Sequence, residues 1–288
     1  MNNVKLKNVS ASVKARLLNL SRKQNRPFQE LLQYYGMERF LFRLSESDYN
    51  ENFVLKGALL FRVWKINEAR PTLDIDLLAK TSNSLSNLVE ITSKICEIVP
   101  REDDGIQFIT ASIKGQVMQT QREYEGIRIR FEGRLESARI PMQIDFGFGD
   151  VITPAPENII YPGILHLPPP KLKGYPPETA IAEKLQTMFE KGEDNSRIKD
   201  FYDVWVLFRW PAFSFKDLYL AISRTFEKRG MQFNLEKFCN ALEEYAQLPK
   251  THILWEQFKK KQIYENKYSF TDVVHDIVAF LKKMKKLP

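Results

Sequence analysis

The chain has 288 residues, 43 Lys and Arg against 36 Asp and Glu for a formal charge of +7, and it is 43% apolar and 27% charged. That mix supports a real hydrophobic core and excludes extended disorder, collagen-like repeats and a disulfide scaffold. No stretch reaches the roughly 18 uninterrupted apolar residues of a membrane span, and MNNVKLKNVS has no apolar core after its lysines, so a cytoplasmic protein without a signal peptide is expected.

In chain order, Val13, Leu17 and Leu20, then Phe28, Leu31, Leu32 and Tyr35, recur at helical spacing over residues 10–45, and Pro27 is placed to open a second helix. A short helix is predicted over 58–65. Residues 71–79 alternate apolar and acidic with period two, the pattern of a strand with one polar face, on which Leu73, Ile75 and Leu77 would face the core. Residues 84–99 read as an amphipathic helix, and 106–113, 127–135 and 140–148 as three β segments. Tyr34, Tyr35 and Phe42 read as core, and Cys96 and Cys239, far apart and without a His pair, as buried thiols. His166, His252 and His275 are scattered, without metal-ligand spacing.

From Asp150 to Pro177 eight prolines occupy 28 residues, a density at which neither helix nor central strand is expected. A boundary at Pro168 to Pro170 then divides the chain into residues 1–167, an α+β domain with N-terminal helices and a partly antiparallel sheet, and residues 168–288, a helical domain. Helices are predicted there over 178–191, 197–209, 215–228, 235–246, 253–262 and 270–285. Charge follows this division unevenly. Residues 1–43 hold nine Lys and Arg against two Glu, and residues 259–288 hold eight Lys against three acids, including Lys259-Lys260-Lys261 and Lys282 to Lys286, which leaves the middle net acidic. Basic ends around an acidic centre suit a polyanion partner beside a metal site, and equally suit solvated helix faces.

The chemistry-bearing residues lie in that middle. Asp74 and Asp76 would leave one face of a strand about 7 Å apart at the backbone. Two such carboxylates repel unless something positive lies between them, for which Mg²⁺ is the ordinary answer, or else they are solvent-exposed acids on an edge strand. Asp145, within Met142-Gln143-Ile144-Asp145-Phe146, is a strand acid among hydrophobes that demands a partner. Beside Asp74 and Asp76 it would complete a set able to hold two divalent ions. Upstream, Lys56-Gly57-Ala58 interrupts an apolar run where backbone N–H groups could approach a phosphate. Lys184 lies near the inward face set by Ile181, Leu185 and Met188, and a partly inward lysine calls for an anion. Asp200 and Asp203 are one helical turn apart; Asp200 could pair with Lys184, Arg197 could meet Asp200 or a phosphate, and Arg70 could reach a phosphate. Thr72 reads as a strand residue and Asp203 as structural.

Gly57-Ala58, Arg70-Pro-Thr72-Leu-Asp74-Ile-Asp76-Leu and Asp145 together resemble the nucleotidyltransferase superfamily of the DNA polymerase β type. With Glu183-Lys184-Leu185 and Arg197-Ile-Lys199-Asp200-Phe-Tyr202-Asp203-Val, the sequence over about residues 50–210 is similar to the AbiEii/AbiGii (MenT-like) toxin family. One position departs: Ala58 stands where that family has a second Gly or a Ser, and it keeps the backbone N–H. The resemblance implies a nucleotidyltransferase-like mixed sheet flanked by helices and followed by a helical domain. It implies transfer of a nucleoside monophosphate from an NTP, with Asp74, Asp76 and Asp145 catalytic and ligating Mg²⁺ or Mn²⁺. Lys56, Gly57, Ala58, Arg70, Lys184, Arg197 and Asp200 are then the nucleotide-binding set. It further implies an RNA acceptor, tRNA in the first place, and a cognate antitoxin protein. A protein hydroxyl as acceptor, and a non-catalytic binding module on the same fold, are the competing readings.

Overall fold

The computed structural model describes residues 8–66, 68–118, 126–210, 214–260 and 267–284. Lys261, Lys285 and Lys286 of the basic C-terminal runs lie outside them, as do Lys5 and Lys7. The chain divides into two compact units, neither of which is one continuous segment: Met1–Val63, Thr72–Gly149 and Asn158–Gly174 form the first, and Trp64–Pro71, Asp150–Glu157 and Tyr175–Pro288 the second.

The first unit is built on a mixed seven-stranded sheet. Its strands are β1 (Phe53–Lys56), β2 (Ile75–Ala79), β3 (Ile106–Met118), β4 (Gly126–Leu135), β5 (Ala138–Phe148), β6 (Glu157–Ile160) and β7 (Lys171–Gly174), in the order β3-β4-β5-β2-β1-β7-β6. β3, β4 and β5 form the expected antiparallel meander; β5 runs parallel to β2, β2 antiparallel to β1, and β1 parallel to β7. The period-two pattern of β4 sorts its side chains cleanly. Ile127, Ile129, Phe131 and Leu135 are buried, while Arg128, Arg130, Glu132 and Arg134 stay on the solvated face.

Helices α1 (Val9–Gln24), α2 (Phe28–Ser45) and α4 (Leu85–Glu97) accompany this sheet. α2 approaches β5 so closely that a Cβ on Gly36 would lie 2.8 Å from Ile140, and Leu85 of α4 crowds Gly115 of β3 in the same way. Tyr34, Tyr35 and Phe42 are core, as expected. α2 also buries charge. Arg43 pairs with Asp104 at 2.7 Å with both side chains nearly inaccessible, a pair tolerable only because it is fully hydrogen-bonded. Cys96 and Cys239 are buried free thiols, and burial pushes Cys96 up to about 12.

Three sequence expectations are corrected. The strand predicted from Pro71 begins only at Ile75, so Leu73 is 66% exposed while Ile75 and Leu77 are buried. The proline-rich segment does hold strands, and β7 is an interior one, because Lys171–Gly174 is a proline-free window between Pro170 and Pro176. The helix expected over 58–65 is a 3₁₀ turn, Gly57–Leu59, followed by the single α turn α3 (Leu60–Val63).

The second unit is helical: α5 (Pro177–Lys191), α6 (Ile198–Arg209), α7 (Phe215–Lys228), α8 (Leu235–Ala246), α9 (Pro249–Lys259) and α10 (Phe270–Met284). Phe201 of α6 stacks on Tyr245 of α8 and meets Phe270 of α10 edge-on, and the Trp205 indole N–H donates to Asp276 at 2.9 Å. Trp64–Pro71 belongs here through the stacking of Trp64 on Trp210 and the Tyr202 hydroxyl, which donates to the Glu68 carbonyl at 2.8 Å. Among the described residues no helix is long and apolar enough to cross a membrane.

Candidate active site

β2 and β5 run in parallel register with Asp76 beside Asp145. Asp74 stands two residues earlier on the same face, just before β2 begins. One oxygen from each of the three carboxylates lies within 4.8 Å of the others, and all three side chains are half-buried. Hydrophobic β residues on either side, Ile75, Leu77, Ile144 and Phe146, are buried on the opposite face and fix the register that turns the acids outward. Three carboxylates this close repel one another unless positive charge offsets them, and an all-oxygen donor set suits a hard cation such as Mg²⁺ or Mn²⁺. On donor chemistry and spacing, the residues fit such an ion.

Neighbouring groups hold the acids in place. The Thr72 hydroxyl donates to Asp74 Oδ1 at 2.7 Å. The Thr72 N–H donates to the Tyr34 hydroxyl oxygen at 3.2 Å, and Gln33 Nε2 donates to the carbonyls of Leu73 and Pro141 at 3.3 and 2.8 Å, so α2 ties the approach to β2 onto β5. Lys56 occupies the register position beside Asp76 on β1. Gly57 follows with φ +73°, and Asp76 fills the space where its Cβ would stand. On the other side, Arg128 of β4 is the register partner of Asp145 and forks onto both its oxygens, Nε to Oδ1 at 2.7 Å and a terminal nitrogen to Oδ2 at 2.6 Å. The hydrogen bond to Asp145 raises the Arg128 pKa against an opposing burial effect, with the charges of Asp145, Asp74 and Asp76 adding to the rise.

Sequence reasoning missed Arg128, Gln33 and Tyr34 as supporting groups. Arg128 had a visible signal, a polar position in Ile127-Arg128-Ile129-Arg130 on a strand next to the one carrying Asp145. Gln33 had none, since a single glutamine among helical apolar residues gives no hint of which loop it will hold.

The second unit gathers a different set. Lys184 of α5 donates to Asp200 at 3.0 Å and to Asp203 at 2.7 Å. Arg70 forks onto Asp203 at 2.9 and 3.0 Å, and Arg197 donates to Asp200 at 2.6 Å. Asp200 and Asp203 are almost inaccessible, whereas the Arg197 side chain is about half exposed. Burial alone would lower the Lys184 pKa, but the two carboxylates more than offset it and leave the ammonium raised. Asp200, which burial would raise, is driven well below the usual carboxylate range by Lys184 and Arg197. Three cations, Arg70, Lys184 and Arg197, gather around two buried carboxylates, with Arg197 the most open to solvent. Of the sequence-derived candidates, Asp74, Asp76, Asp145, Lys56, Gly57 and Ala58 thus fall in the first unit, and Arg70, Lys184, Arg197 and Asp200 in the second.

Residues 39–276 match the family described as nucleotidyl transferase AbiEii toxin, type IV TA system. None of the curated proteins is similar enough to count as a match. Among solved structures, JHP933 from Helicobacter pylori aligns with 90% of this chain and 92% of its own at 14% identity and a TM-score of 0.52. An inferred nucleotidyltransferase from H. pylori aligns with 90% of this chain and 95% of its own at 13% identity and a TM-score of 0.51. At these identities the likeness is one of fold.

Proposed function

Because the chain belongs to the AbiEii family of nucleotidyl transferase toxins from type IV toxin–antitoxin systems, and is thus a nucleotidyltransferase with an antitoxin partner, we propose that it transfers a nucleoside monophosphate from an NTP to an RNA acceptor, tRNA in the first place, in the cytoplasm. The observation that carries this reading is the convergence of the Asp74, Asp76 and Asp145 carboxylates on one patch of the sheet.

Asp74 and Asp76, with Asp145, would hold Mg²⁺ or Mn²⁺. When bound, such an ion neutralises triphosphate charge and lowers the pKa of the attacking hydroxyl. Thr72 orients Asp74 through its hydroxyl, and Gly57 leaves the volume that the Asp76 carboxylate occupies. Asp145 is the proposed acceptor of the hydroxyl proton, once one of its oxygens is released from Arg128. Lys56, Gly57, Ala58, Arg70, Lys184, Arg197 and Asp200 are the proposed nucleotide-binding residues; the half-exposed guanidinium of Arg197 beside Lys184 and Asp200 supports that assignment for an anionic ligand. The RNA acceptor draws support from the basic ends of the chain, including Arg16, Arg22 and Lys23 of α1.

The test is incubation of the protein with Mg²⁺, each of the common NTPs labelled at the α-phosphate, and total RNA. Label entering RNA, and tRNA above all, is the expected result. Label in protein bands instead would replace the acceptor with a protein hydroxyl, and no label in either fraction would leave the family fold as a binding module.

A further inference from the structure

We propose that Arg128 competes with divalent cations for Asp145, so that the triad takes up a cation tightly only together with an anionic nucleotide that can engage the guanidinium instead. The inference rests on the triad being the cation-binding centre of the transferase and adds an order to its loading.

The geometry sets up the competition. Arg128 and Asp145 are directly opposite on β4 and β5, and the same register row continues to Asp76 on β2. The guanidinium uses both Asp145 oxygens at once, at 2.7 and 2.6 Å, in the planar fork that makes Arg–carboxylate pairs the strong ones. The Arg128 and Asp145 side chains are only 29% and 15% exposed, so solvent screens the pair less than it would an open surface bridge. A carboxylate has lone pairs on two oxygens, and here each already accepts a charged N–H. A cation held by Asp74, Asp76 and Asp145 would therefore share its third ligand with a like charge fixed on that ligand's far side.

A triphosphate resolves the conflict. It brings negative charge to the same patch, and the fork that fits a carboxylate fits a phosphate equally well. Cation and nucleotide then strengthen each other's binding by one reciprocal factor, and Arg128 is where that factor is set. Arg128 acts here as a positioning residue through Asp145. Its contribution is to disfavour a bare cation, not to add a ligand.

The experiment is Mn²⁺ titration of the full-length protein, with free Mn²⁺ read by electron paramagnetic resonance, with and without α,β-methylene analogues of the common NTPs. Without nucleotide, Arg128→Gln is expected to bind Mn²⁺ about tenfold more tightly than the wild type, because a like charge and a competing donor are gone. With the analogue present the advantage should vanish, so the gain in Mn²⁺ affinity conferred by nucleotide is smaller in the variant. A residue that merely braced the strands would lower Mn²⁺ affinity when removed. Unchanged or weaker Mn²⁺ binding by folded Arg128→Gln would overturn the proposal. Arg128→Lys keeps the charge and the fold but loses the fork, and should bind Mn²⁺ between the other two; no gain there overturns the proposal equally if the glutamine variant does not fold. Label transfer by the wild type with no gain in Arg128→Gln rejects the competition alone. A gain in Arg128→Gln without label transfer by any form rejects the transferase reading and leaves the competition standing.

Discussion

Gly57 and Asp76 share a space that holds only one side chain: a Cβ on Gly57 would fall 2.0 Å from Asp76 Oδ2. Gly57 also has φ +73°, a backbone region that L side chains adopt at a cost. Both effects predict that Gly57→Ala destabilises the protein, by about 2 to 3 kcal/mol, and displaces the Asp76 carboxylate. In an Asp76→Ala background the carboxylate contact is gone while the Asp76 Cβ stays 2.8 Å from the new methyl, so the loss caused by Gly57→Ala should shrink towards, but stay above, the left-handed strain of about 1 kcal/mol. Urea unfolding of the four forms measures this, and additive losses would show that the two residues do not compete for volume.

Asp76 itself is one of three like charges crowded on one patch, so its neutralisation removes repulsion as well as a proposed cation ligand. Asp76→Asn is expected to leave the unfolding free energy within about 1 kcal/mol of the wild type. Loss of this proposed cation ligand should lower NMP transfer by on the order of a thousandfold. Circular dichroism with the labelled-NTP assay separates the two effects. Transfer at near wild-type rate would remove Asp76 from the cation site.

Much of this arrangement was legible in the sequence because it is carried by local patterns. Period-two alternation over residues 71–79 gave the shared polar face of Asp74 and Asp76, β segments separated by polar turns gave the meander, and the apolar stripe on α5 placed Lys184 near the inward face. What could not be read is pairing between distant segments. Nothing in Ile127-Arg128-Ile129 states that β4 will lie beside β5 in the register that sets Arg128 on Asp145. Arg70 is 133 residues from Asp203, and the family motif that contains it does not name its partner. Leu73 misled because alternation continues through it, whereas the β ladder starts two residues later. The interior strand β7 was obscured because proline density was averaged over a segment whose four strand residues contain none.

Thr72 read as an ordinary strand residue, yet it is buried and its hydroxyl donates to Asp74 Oδ1 at 2.7 Å. Thr72→Val keeps the shape and removes the donor, leaving Asp74 free to rotate away from its partners. The expected result is a transfer rate about tenfold lower and Mn²⁺ affinity reduced to a similar degree, the usual scale for removing a group that orients a metal ligand. Thr72→Ser restores the hydroxyl and should recover most of both. A valine variant with unaltered Mn²⁺ binding would assign the hydroxyl to packing alone.

The ion-pair cluster of the second unit makes stability depend on pH in a direction the shifts fix. Lys184 and Arg197 hold Asp200 far below its ordinary value of 3.8. The unfolded chain therefore binds the proton first, and the stability Asp200 contributes is present above about pH 4 and lost as pH falls below it. Lys184 works oppositely: its pKa is raised above 10.5, so its contribution is complete below that value and lost only in stronger alkali. Between these limits Asp200→Asn should cost about 3 kcal/mol, because it leaves the Lys184 ammonium with one carboxylate where it had two. In urea unfolding at a series of pH values, the gap between the wild type and Asp200→Asn should be widest near neutrality and narrow steadily between about pH 4 and pH 2. A gap that stays constant across that acid range would mean that Asp200 stabilises the cluster by hydrogen bonding and not by its charge.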